Sequence, residues 1–154
     1  MSTFSAGNMK NNKCCEYWQS KVDTQVLLSN EQQEFDENDP KVILNAIECL
    51  LKLEGNRNEA KFTGATNFEV SQTFEPATVE VASLYYISYL YYRTWSHADA
   101  IALVDKDGNS NTNEAIQKAY KSYRKWYEDI KKVGLQKAKE QNLDPLADSD
   151  IRWY

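Results

Sequence analysis

The sequence predicts an all-α fold, a single-domain bundle of about five helices, with stacked helical hairpins as the alternative arrangement. Three observations predict it. Pro40 and Pro76 each stand just ahead of an apolar run, at the helix start where the missing N–H costs nothing. A basic segment near the end of the chain carries its apolar residues at 3.6-residue spacing. The 154 residues are 42% hydrophobic and 27% charged, which fits one globular domain and not a disordered chain.

Residues 1–13 are small, polar and without periodicity, and are read as a mobile N-terminal tail ahead of a helical domain over 14–154. A first helix is expected over about Glu16 to Asn30, with Trp18, Val22 and Val26 spaced by four. The acids Glu31, Glu34, Asp36, Glu37 and Asp39 follow with no intervening base. A second helix is expected over 40–54: Asp39 caps it, Pro40 takes its first position and Gly55 ends it. Val42, Ile43, Ala46, Ile47, Leu50 and Leu51 form its apolar face.

Residues 55–75 lack helical periodicity and read as a long loop carrying Phe62, Phe68 and Phe74. Past Pro76 a helix is expected over roughly 77–95. Its segment Leu84 to Tyr92 is apolar or aromatic nearly all round, as in a helix buried at the centre of a fold. A short helix is then expected from His97 to Val104, ended by the turn Asp105 to Asn111. The last helix starts near Thr112, with Asn111 and Glu114 resembling a capping box. It is expected to run to about Asn142 with a bend at Gly134, leaving Asp148 to Tyr154 as a tail.

Composition narrows the chemistry. Acids outnumber bases 23 to 18, a net charge of −5, which argues against a globally basic nucleic-acid binder. No stretch approaches the roughly 20 apolar residues of a membrane helix. Cys14, Cys15 and Cys49 have no regular spacing, so reduced cysteines in a cytoplasmic protein are expected. A disulfide from Cys14 or Cys15 to Cys49 belongs to the periplasmic alternative, in which a leader has been removed; the first dozen residues themselves lack an apolar leader core.

Candidate constellations are sparse. Asp105, Asp107 and Asn109 match the first ligand positions of a calcium loop, but Ser110 and Ile116 stand where glycine and glutamate are needed. His97 is the only histidine, which leaves no His-based zinc cluster. Glu75 and Glu80 flank Pro76, where acids are favoured by the helix dipole. The last helix turns Lys118, Lys121, Lys125 and Lys132 opposite an aromatic face of Tyr120, Tyr123 and Tyr127. Its rings therefore do not stand beside its lysines as base-stacking platforms.

Elimination leads to a protein-binding module. Its most specific form is a small bacterial immunity protein or inhibitor that occludes a toxin or enzyme. The expected partner-binding residues are Glu34, Asp36, Glu37 and Asp39, with Phe62 and Phe68 in the loop and Trp153 near the end. No catalytic residue, metal ligand or cofactor is expected. The alternatives are a small enzyme with a Tyr/carboxylate pocket near the 55–75 loop, or an accessory protein that binds an anionic partner through the basic last helix.

Overall fold

The structure is a computed structural model, and it describes residues 15–23, 35–60, 77–94 and 101–154. Among these the chain is predominantly helical, with five helices and one two-stranded ladder. Helix α1 covers residues 15–20 and closes in a turn at 21–23. The expected continuation of this helix over 24–30 lies outside the described residues. Trp18 and Val22 are fully buried, and Trp18 packs beside Phe35 and Tyr86.

Helix α2, Pro40–Leu51, begins as its sequence dictates. Pro40 opens it, and the Asp39 carboxylate accepts from the Lys41 N–H at 3.0 Å, satisfying one orphan donor of the first turn. Ile43, Ala46, Ile47, Leu50 and Leu51 point inward. The helix gives way to turns that reach Gly55, whose φ of 91° is left-handed backbone that glycine adopts without strain.

A disulfide joins Cys15 to Cys49, with Cα atoms 4.9 Å apart. The expectation of reduced cysteines is corrected here for this pair. The spacing along α2 places Cys49 on its buried face, and the crosslink ties α1 to that face. Gln19 Nε2 adds a hydrogen bond to the Cys49 carbonyl at 2.9 Å.

Helix α3, Val79–Tyr92, is buried on nearly every side; only Tyr89 and Tyr92 keep appreciable exposure. Its N-cap Thr78 makes no side-chain capping bond. Instead the Val79 and Glu80 N–H groups donate to the carbonyls of Asn58 and Asn56. The described start of the long loop thus serves as the cap. The rest of that loop, with Phe62, Phe68, Phe74 and Glu75, lies outside the described residues. Arg93 ends α3 at φ 60°.

The expected helix from His97 to Val104 is corrected where it is described. Leu103–Val104 is a strand, β1, paired antiparallel with β2, Arg152–Trp153, in the register Leu103↔Trp153. Leu103 uses its other edge on Asn111: its N–H donates to Oδ1 and its carbonyl accepts from the Asn111 N–H. With Ala102 also accepting from Tyr154, these peptide groups bond outside a helix, and strand wins. His97 lies outside the described residues.

Helix α4, Asn113–Val133, is capped by Thr112, whose hydroxyl accepts from the Ala115 N–H at 3.1 Å. Asn111, the expected cap, sits at φ 51° and serves β1 instead. Ile116, Ala119, Tyr120, Tyr123, Tyr127 and Ile130 face inward as their spacing requires, joined by Trp126 and Ser122. Gly134, at φ 90°, does more than bend the helix: it ends α4 and starts α5, Leu135–Glu140. The expected C-terminal tail is corrected too. Leu146 and Ile151 are buried, and ion pairs Lys125–Asp148 and Lys118–Asp150 hold this segment along α4.

Two stability measurements check this packing. Ile47→Ala should cost about 2–5 kcal/mol by leaving a cavity, read as a lower urea midpoint at unchanged slope; a loss under about 0.5 kcal/mol would mean α2 is not packed as described. Cys49→Ala should lose about 2–4 kcal/mol under oxidising conditions, because the crosslink no longer restricts the unfolded chain. Reductant should destabilise the unaltered protein similarly and leave the alanine variant unmoved.

Candidate functional site

A cleft of about 570 Å³ opens at the C-terminal end of α3. Ser88 and Tyr92 reach it from α3, Tyr123 from α4, Asp144 to Ala147 from the segment after α5, and Arg152 and Trp153 from β2. A second cavity of about 370 Å³ adjoins it, lined by Tyr91, Tyr92, Lys139, Asn142, Leu143 and Asp144. Tyr92 and Asp144 line both, and the Tyr92 hydroxyl donates to Asp144 Oδ2 at 3.1 Å.

Tyr123 is fully buried at the floor. Its hydroxyl accepts from Trp153 Nε1 at 2.9 Å and shares a hydrogen bond with Ser88 Oγ. The Trp153 ring meets Tyr85 edge-on, with centroids 5.4 Å apart. Three elements distant in sequence are thereby locked through one phenol. Burial pushes the Tyr123 hydroxyl above the ordinary phenol range, although the bonds from Ser88 and Trp153 pull the other way. Burial likewise raises Tyr92, helped by the negative charge of Asp144. These phenols stay neutral and act as hydrogen-bonding walls, not as bases or nucleophiles at neutral pH.

Of the expected partner-binding residues, Trp153 is the one the structure brings to this cleft. The described acids do internal work. Asp36 accepts from the Asn38 N–H and closes a turn, and Asp39 caps α2. Glu37 receives both terminal nitrogens of Arg93 at 3.2 Å and the Tyr86 hydroxyl at 3.4 Å. Glu34, Phe62 and Phe68 lie outside the described residues.

Glu80 is also accounted for. Though only 3% exposed, it accepts from the Gly55 N–H at 3.1 Å and lies 3.6 Å from Arg57 Nε. It holds the turn that caps α3. The tyrosine and carboxylate groups that do converge in a cleft are Tyr92, Tyr123 and Asp144, at the opposite end of α3 from that turn, about 20 Å away at 1.5 Å per residue. Sequence reasoning missed Asp144 because Asp144-Pro145 reads equally well as a helix terminator. In the Asp105 turn, Oδ1 accepts from the Asp107 and Asn109 N–H groups at 2.9 Å each, the geometry of an Asx turn.

Tyr123→Phe should destabilise the protein by about 1–3 kcal/mol, since buried Ser88 and the Trp153 indole lose their shared partner. Alkaline titration gives a second readout. A phenol raised on folding binds its proton more tightly in the native state, so stability is fully present below the unfolded value of about 10 and falls as pH rises beyond it. Tyr123→Phe should make that fall shallower; an unchanged slope would mean the hydroxyl is not held as described. No family model, curated protein or solved structure matches this chain, so the site is read from its own geometry.

Proposed function

We propose that the protein is a protein-binding module that engages its partner at the cleft beside α3. The observation that carries this reading is the rim. Tyr92, exposed at 39%, stands in the cleft wall with Trp153 and Arg152. Tyrosine, tryptophan and arginine are the residue types that dominate binding energy at protein interfaces. The walls are held in place before any partner arrives, which lowers the ordering cost of association. The five helices are read as a bundle gathered on α3, a rigid base for such a surface.

In its most specific form the module is a small bacterial inhibitor or immunity protein that occludes a toxin or enzyme. The Cys15–Cys49 disulfide supports the periplasmic alternative over the cytoplasmic expectation, because such bonds persist in oxidising compartments. The acidic run now counts less toward recognition than its charge promised, since Glu37 and Asp39 are engaged within the chain.

The test begins with the partner recovered from the native host. Tyr92→Ala should weaken its affinity by about tenfold or more while the urea midpoint stays near that of the unaltered protein. Charge reversal at exposed Lys121 and Lys132 should do much less. The opposite pattern would favour the anionic-partner reading. Turnover of a small molecule that depends on Tyr92 or Asp144 would replace the binding reading with the enzyme one.

A further inference from the structure

We infer that the cleft is a receptor for a cationic group, an alkylammonium or guanidinium, presented as a lysine or arginine side chain of the protein partner; the partner half of this inference rests on the binding reading above. Among the described residues, Tyr92 and Trp153, which keep exposure, line the cleft with one carboxylate, Asp144, above the buried Tyr123. Aromatic faces carry negative quadrupole density that attracts cations, and desolvation strengthens the attraction.

Asp144 supplies the charge. Its Oδ2 accepts from the Tyr92 hydroxyl and its Oδ1 from the Leu146 N–H at 2.8 Å. Both donors are neutral, so neither bond brings a countercharge, and each oxygen retains a lone pair for a further donor. Among the described residues no lysine or arginine forms an ion pair with Asp144; the nearby pairs go to Asp148 and Asp150. The same charge reaches the hydroxyls of Tyr91, Tyr92 and Tyr123 and pushes each upward, behind the larger effect of burial and, at Tyr91 and Tyr123, against hydrogen bonds that pull downward.

Among the described residues two cations stand near, and neither forms an ion pair with Asp144. Arg152 lines the cleft, but its Nη1 donates to the carbonyls of Ser149 and Ile151 at 2.8 and 2.7 Å. Lys139 lines the adjoining cavity, with Nζ 5.7 Å from the centroid of the Tyr91 ring. An apolar occupant would strip water from Asp144 without replacing it, which is costly. A cation with a short alkyl stem satisfies the carboxylate and the rings at once. The aromatic walls are already fixed by Ser88, Tyr85 and Tyr91.

The test titrates the whole protein with Nα-acetyl-lysine methylamide, Nα-acetyl-arginine methylamide, tetramethylammonium and the norleucine counterpart, following the Trp153 indole N–H by NMR. The lysine or arginine probe should bind at least about tenfold more tightly than norleucine. Asp144→Asn, which keeps the side-chain shape and the Leu146 bond, should abolish that preference. Equal binding of norleucine, or displacement of the lysine probe by acetate, overturns the inference on the unaltered protein, without any variant. Tetramethylammonium binding with both side-chain probes silent overturns the assignment to a partner side chain. The two readings also separate. A partner whose affinity ignores Asp144→Asn overturns the cation site and leaves the binding module standing. Asp144-dependent probe binding in a protein that retains no partner upholds the site and overturns the module.

Discussion

A helix with almost no solvent face must place every polar atom it carries against something that hydrogen-bonds, and α3 is such a helix. Ser83 donates to the Leu50 carbonyl, Ser88 pairs with Tyr123, and Tyr91 donates to the Leu143 carbonyl. From the other side, Tyr120 donates to the Glu80 carbonyl. Each unmade bond of this kind leaves a buried group at a penalty of about 1–3 kcal/mol. The positions of α2, α4 and the C-terminal segment around α3 are thus set by hydrogen-bond geometry as well as by hydrophobic contact.

That requirement also explains where the cleft lies. At its N-terminal end α3 is closed off: Asn56 and Asn58 carbonyls meet its first N–H groups, and Glu80 braces the turn that supplies them. At its C-terminal end the partners come from α5 onward and from β2, which approach as a short irregular segment around Pro145. Such a segment satisfies individual atoms without sealing the surface as a helix would. The remaining gap is the cleft, walled by the aromatic groups that α3 and α4 have in excess.

Much of this was legible in the residues. The cap at Asp39, the proline start of α2, the inward face of α4 and the central burial of the tyrosine helix follow from periodicity and capping chemistry, which are local. What local signals do not carry is pairing at a distance. Ala102 to Val104 is apolar and short, a pattern common to helix and strand; the choice is made by Arg152 and Trp153, far along the chain. Cys15 and Cys49 are 34 residues apart, and nothing in their spacing says which cysteine of the adjacent pair faces α2. The same holds for the acidic run, whose composition reads as a partner-binding surface until Arg93 is seen beside Glu37. Asp144 became visible as a site residue only when Tyr92 and Trp153 were brought to it.

The partnering of α3 by the last residues of the chain has a consequence for biogenesis. During synthesis α3 is made before Tyr123, Leu143 and Trp153, so its serine and tyrosine hydroxyls meet only water or transient partners until those residues follow. At roughly 5–20 residues per second, that interval lasts on the order of seconds. Vectorial folding from the N-terminus therefore yields no finished core. The contacts of α3 with α2 can form before those with β2, which is made later.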